Sequence, residues 1–160
     1  ALCSIFHEIA LDPALGDRLR EDSALVKPAI EEVLRLESPA QGFWRMAKED
    51  TELGGVAIPK GSMVFACYGA ANRDEEKFEN AERLDLTRKN SGNHLVFGAG
   101  VHFCAGASLA RMELELSVTT LLKRLRNIRL TPGTEHLVVH NDNSTSRSLT
   151  GLHLTFDRND

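Results

Sequence analysis

The stretch Leu95-Val-Phe-Gly-Ala-Gly-Val-His-Phe-Cys-Ala-Gly-Ala-Ser-Leu-Ala-Arg111 sets one cysteine, Cys104, among glycines just ahead of a helical pattern. Gly98, Gly100 and Gly106 let the backbone take turns closed to other residues and come within contact distance of something flat and bulky. From about Gly106 the pattern is helical, so the unpaired N–H groups and positive dipole end of a helix point back at the sulfur and favour its thiolate. A thiolate is a metal ligand. A single cysteine near a helix start is ordinarily a small buried hydrophobe. Zinc is a second alternative, but the loop holds one cysteine, and His102-x-Cys104 lacks the paired spacing of a four-ligand zinc site. Three glycines, a histidine and a helix start in one register favour the ligand.

Phe97-Gly-x-Gly-x-His102-x-Cys104-x-Gly106, followed by Leu109-Ala-Arg111, resembles the cysteine-ligand loop of the cytochrome P-450 haem-thiolate monooxygenases, in the form of the soluble bacterial members. The resemblance implies that Cys104 is the fifth ligand of haem iron, in haem b (iron protoporphyrin IX), and that the thiolate's electron density helps break the O–O bond of bound oxygen. It implies that the amides of Ala105 and Gly106 hydrogen-bond the sulfur and tune the iron. By the same likeness His102 is a haem-propionate partner, and Phe97 packs beside the ring. Arg45 resembles the family's second propionate-binding group, although a strand arginine is normally a solvent-facing one, and residues 39–44 would line the substrate pocket.

Glu31-Glu-Val-Leu-Arg35-x-x-Ser-Pro39 resembles the family's Glu-x-x-Arg helix. A glutamate and an arginine at i and i+3 are most often a solvated ion pair worth a few tenths of a kcal/mol. The resemblance implies instead a buried structural triad of Glu32, Arg35 and a later arginine, matched by Arg83 in Ala81-Glu-Arg-Leu-Asp85. Two guanidinium groups on one carboxylate would lock the loop leading to the haem. Asn72-Arg-Asp74 with Phe78 resembles the connector into that loop. Family members commonly carry proline where this chain has Glu75 and Ala81, and phenylalanine where it has Leu84, so this loop is expected to be less rigid or differently packed.

Along the chain, residues 1–10 form a helix in progress, apolar at Leu2, Ile5, Phe6 and Ile9, and the start looks cut. Asp12-Pro13 caps a short helix through about Arg20, and Asp22-Ser23 caps a third running to about Leu36, with Pro28 near its start and Ser38-Pro39 ending it. That helix buries Ala29, Ile30, Val33 and Leu34. Residues 43–48, 55–58 and 62–67 alternate as short strands of a small antiparallel sheet, and 68–72 make a short helix. Residues 87–94 are polar and form a surface connection. The helix from Gly106 to about Arg126 is apolar on two faces, with Leu109, Met112 and Leu116 on a core stripe. Lys123, Arg124 and Arg126 suit its negative end, ahead of docking an acidic electron donor. Strands follow at 128–130, 136–139 and 152–156, resembling the family's C-terminal hairpins, whose tip can reach the substrate cavity. His136, His140 and His153 are surface or core histidines.

The 160 residues are 42% hydrophobic and 26% charged, the composition of one globular unit. A net charge of −4 argues against a nucleic-acid partner. Cys3, Cys67 and Cys104 are odd in number and scattered, which disfavours a disulfide framework and favours a reducing cytoplasm. No stretch approaches the ~20 apolar residues of a membrane span, and no signal peptide is visible. The fold expected is mainly α with small antiparallel β-sheets, the C-terminal, haem-ligating part of the cytochrome P-450 fold. The resemblance implies that residues 1–160 are a single haem-binding unit lacking an upstream half. The function expected is a monooxygenase that inserts one oxygen atom into a small organic substrate, with electrons from a ferredoxin or flavoprotein. The alternative is a truncated, non-catalytic haem-binding or interaction module, self-associating through apolar surface.

Overall fold

The structure, a computed structural model, describes residues 1–135, 138, 140–143 and 145–159. Its architecture is a set of helices around one apolar core, with four two-stranded antiparallel sheets at the periphery. Helix α1 (Leu2–Leu11) ends at Asp12, whose side chain accepts from the Ala14 amide and starts α2 (Pro13–Glu21), with Pro13 in the first turn. There the missing proline N–H costs nothing. Asp22 repeats the device on Ala24, and a 3₁₀ turn (Ser23–Leu25) runs into α3 (Val26–Glu37). Ser38 stops α3 in the left-handed region (φ 40°), buried, with its hydroxyl on the Arg35 carbonyl at 2.7 Å.

The residues between Gly42 and Cys67, expected to form one sheet, form two. β1 (Gly42–Met46) pairs with β4 (Met63–Cys67), Arg45 opposite Val64, while β2 (Thr51–Leu53) and β3 (Val56–Ile58) make a separate hairpin between them. β2 had no expected counterpart. Two glycines at its turn, Gly54 and Gly55, take φ of 57° and 80°. α4 (Tyr68–Ala71) follows β4 directly.

Helix α5 (Ala107–Arg124) ends two residues earlier than the pattern predicts. Leu125 and Arg126 already belong to β5 (Leu125–Leu130), which pairs with β8 (Leu154–Arg158). The apolar rhythm runs on through Leu125, but the Asn159 amide takes the Arg124 carbonyl at 2.8 Å and turns the chain into the sheet. A further hairpin pairs β6 (His140–Asp142) with β7 (Arg147–Leu149). The expected strand at 136–139, with His136, lies largely outside the described residues.

The core joins Ile5, Phe6 and Ile9 of α1, Leu15 and Leu19 of α2, Val26 to Leu34 of α3, and Leu114, Val118 and Leu122 of α5. Only one face of α5 is covered. Leu109, Met112 and Leu116, expected in the core, are more than half exposed and form a stripe along the opposite side. Hydrophobic periodicity marks a face to be covered without saying what covers it.

Candidate functional site

Arg35 is fully buried and uses every donor it has. Nε and Nη2 clamp the two oxygens of Glu32 at 2.8 and 3.1 Å, Nη1 donates to the carbonyls of Asn72 and Ala81 at 2.8 and 2.7 Å, and Nη2 also reaches the Arg83 carbonyl at 3.1 Å. A guanidinium has five N–H bonds, so none is left unsatisfied. Phe78 lies beneath it, 5.1 Å from ring centroid to Cζ. Glu32, also fully buried, receives the Asp85 amide at 2.9 Å. Burial opposes its charge, but the bonds from Arg35 and the Asp85 amide, with the Arg88 guanidinium beside it, outweigh it and hold its pKa below the ordinary carboxylate range.

The second arginine at Glu32 is Arg88, not Arg83. Arg88 Nε lies 3.0 Å from Glu32 Oε1, with its side chain 5% exposed. Arg83 joins through its backbone: the turn closed by its amide on Asn80 at 3.0 Å directs the carbonyl to Arg35 and Arg88, while the residue itself is exposed. Where family members carry proline, Glu75 and Ala81 are joined by a hydrogen bond that proline could not donate, Ala81 N to Glu75 Oε1 at 3.0 Å. The loop is thus pinned by a side chain where a ring would stiffen it.

Asn72 carries this buried order to the cysteine loop. Its Nδ2 donates to Ser38 Oγ at 2.9 Å, and its Oδ1 accepts the Leu95 amide at 2.7 Å. The connection before that loop, expected on the surface, buries its last residue, His94. His94 Nε2 lies 3.1 Å from Glu31 Oε2, and Arg111 of α5 grips Glu31 with two bonds of 2.7 and 2.9 Å. Burial pushes the Glu31 pKa up, and the close approach of His94 with the two hydrogen bonds and the charge of Arg111 overcomes it, bringing it down to about 2. Glu31 and Glu32 sit about 100° apart on α3, so each carboxylate serves a different neighbour. Glu31, His94 and Arg111 went unassigned in the sequence because their partners are 63 or more positions apart or face across helices, and no local spacing marks them.

The loop closes on itself through the Gly98 amide to Leu95 O at 2.8 Å, the Phe103 amide to Gly100 O at 3.0 Å and the Cys104 amide to Phe97 O at 2.8 Å. Gly98 and Gly100 take φ of 70° and 68°, where a side chain would be strained. Gly106 does not: at φ −87° it is the N-cap of α5, and any residue could take its backbone angles. A Cβ there would meet Cys104 Sγ at 3.8 Å, so its small size leaves room beside the sulfur.

Cys104 is exposed at the junction of two cavities. One, of about 560 Å³, is lined by Ala40, Phe43, Arg45, Tyr68, Gly98 and His102 besides Val96, Phe97 and Cys104. The other, of about 630 Å³, continues past Cys104 along Leu34, Pro39, Ala110 and Leu114. Tyr68, which the sequence placed only in a short helix, joins the lining. The β6–β7 tip reaches the segment before β1: Gln41 N donates to Thr145 O at 2.9 Å and Arg147 N to Pro39 O at 3.0 Å.

These residues fit a haem. Each cavity is within the ~300–1,000 Å³ of small-molecule sites. The walls are largely apolar, with Glu113 and Ser117 on the second cavity, and Arg45 and His102, beside the Tyr68 hydroxyl, are the groups on the first that could answer two carboxylates. Among the described residues no group of three or more His, Cys, Asp or Glu side chains could hold a metal. A lone thiolate therefore suits a metal whose other ligands come from a macrocycle.

The family model described as cytochrome P450 matches residues 1–141. Cytochrome P450 107B1 of Saccharopolyspora erythraea is 47% identical over 120 residues, 74% of this chain and 29% of that protein. Cytochrome P450 CYP107DY1 of Priestia megaterium is 45% identical over 138 residues, 86% of this chain and 33% of that protein. The chain thus spans about a third of the length of the curated relatives it matches. The substrate-free structure of Mycobacterium marinum cytochrome P450 CYP150A6 superposes with a TM-score of 0.93 at 34% identity, over 98% of this chain and 40% of that one.

Proposed function

We propose that this chain, which belongs to the cytochrome P450 family, carries the haem-ligating portion of a monooxygenase that inserts one oxygen atom from O₂ into a small organic substrate. The observation that supports this most is Cys104, exposed where two cavities meet and held by a loop in which Gly98 and Gly100 take backbone angles that would strain any other residue. When bound, haem b supplies the oxygen chemistry, and a cysteine ligand favours O–O cleavage.

The chain's own residues have separate tasks in this reading. Cys104 is the metal ligand, and Ala105 and Gly106 are the residues whose amides would hydrogen-bond its sulfur with the metal bound. Arg45 and His102 bind the propionates, and Phe97 packs beside the ring. Phe43 and the segment at Pro39 and Ala40 form the substrate side of the cavity. Glu32, Arg35 and Arg88 hold the loops in place and take no part in proton transfer. No residue here is assigned as general acid or base. Electrons come from a ferredoxin or flavoprotein. Among the described residues no helix is long and apolar enough to cross a membrane.

A second reading is a haem-binding or interaction module without turnover. It draws on the exposed Leu109, Met112 and Leu116 stripe, which would favour self-association. Haem reconstitution followed by a carbon monoxide spectrum of the reduced protein separates a haem-thiolate site from an interaction module without haem, and product formation from substrate, O₂ and an electron donor separates a monooxygenase from a haem-binding module without turnover. A strongly red-shifted Soret band supports the monooxygenase site. Failure to take up haem, with oligomers on size exclusion, supports the module.

A further inference from the structure

The Glu31 network stands apart from the triad and serves no purpose the ligand assignment itself requires. Its carboxylate is met by Arg111 from α5 and by His94 from the start of the cysteine loop, so one side chain of α3 joins both arms that flank Cys104. The Arg111 guanidinium lies over the Phe97 ring, 4.5 Å from its centroid, and the His94 ring is 5.8 Å from the same ring at 46°. Phe97 is therefore held by both partners of Glu31. Its carbonyl is also the acceptor for the Cys104 amide at 2.8 Å. His94 Nδ1 accepts the Val96 amide at 3.3 Å, and Nε2 lies against Glu31 at 3.1 Å without an aligned hydrogen bond.

We propose that Glu31 is a positioning residue for the cysteine ligand: by clamping Arg111 and His94 around the Phe97 ring, it fixes the carbonyl from which the Cys104 amide hangs. The proposal concerns how the loop is held and rests on the haem-thiolate reading only for its consequence at the metal. The chain of contacts is short, Glu31 to Arg111 and His94, these to Phe97, and Phe97 to Cys104. Glu32, one residue away, acts on the 72–88 loops instead, so the two carboxylates divide the work.

The test measures amide hydrogen exchange in the haem-free chain, comparing Glu31→Gln with the parent. Glutamine keeps the shape and loses the charge that Arg111 and His94 share. Exchange at the Cys104 amide is expected to rise at least about tenfold, the scale of losing one charge-assisted hydrogen bond, while Val118 in the middle of α5 keeps its rate. In the haem-loaded variant, part of the reduced carbon monoxide complex loses the red-shifted Soret band. Exchange at Cys104 that is unchanged, or that rises only in step with Val118, overturns the proposal. Should Glu31→Gln not fold, Arg111→Lys keeps the charge and loses the fork. Its Cys104 amide must then exchange faster selectively, and an unchanged rate is equally fatal. If the parent binds no haem at all, the exchange result still decides the positioning role, and the haem-thiolate reading alone fails.

Discussion

The interior beneath the loops and the open face above them are built on opposite terms. Below, Glu32 and Arg35 are completely buried, and each donor and acceptor between them is matched at 2.7 to 3.1 Å. Above, Cys104 is exposed, Phe103 is 53% exposed and Val101 almost wholly so. Charge is where apolar residues are expected, and apolar residues are where charge is expected. A buried ion pair adds little net stability but strongly penalises the loss of one partner. It therefore suits a place where loop geometry must not drift. The face above has few contacts of its own and takes its shape from what lies below.

The sharpest way to break this contrast is at the sulfur. Cys104→Ala should abolish haem binding, read by absorbance after reconstitution, while the haem-free melting curve stays close to the parent's, within the ~0.5 kcal/mol usual for exposed sites. A large loss of stability would mean that the loop is not dependent on the interior. Glu32→Ala should do the reverse and cost about 3 to 5 kcal/mol in urea unfolding, because Arg35 and Arg88 would be left buried beside no counter-charge. Arg88→Ala should cost about 1 to 3 kcal/mol, the range for leaving a buried polar group one partner short, whereas Arg83→Ala should lie within about 0.5 kcal/mol, since only its carbonyl is used. Equal effects at the two arginines would contradict the assignment of Arg88.

Acid tests the same interior without a mutation. The Glu31 pKa is depressed in the folded chain, from about 4.5 to about 2, so its stabilisation is complete above the unfolded value and is lost as the pH falls through that window. Stability measured between pH 5 and pH 2 should fall more steeply for the parent than for Glu31→Gln. A modest effect is expected from Glu75→Ala, about 0.5 to 1.5 kcal/mol in urea unfolding, for the loss of one hydrogen bond to Ala81.

The sequence made some of this legible and hid the rest for identifiable reasons. Gly98 and Gly100 could be assigned to left-handed turns because only glycine sits there without strain, whereas Gly106 has the same letter and an ordinary backbone. Glu32 and Arg35 are neighbours on any helix, so their pairing followed from spacing. Arg88 and Arg83 are both on one loop, and which guanidinium turns inward depends on the trace of that loop, not on distance along the chain. His94 looked like surface because its neighbours are polar, yet Glu31 offers it a partner from another helix. The end of α5 was misplaced because the apolar rhythm at Leu121, Leu122 and Leu125 continues past the last helical hydrogen bond. The family model and the fold superposition bear out the mainly helical architecture and the family that the loop motif implied.

The most direct test of the central claim is X-ray absorption at the iron edge of the haem-reconstituted chain, beside the same measurement on Cys104→Ala loaded with any haem it retains. The account predicts one sulfur scatterer on iron in the parent and none in the variant. A parent without sulfur on iron, or a variant that keeps it, would contradict the account.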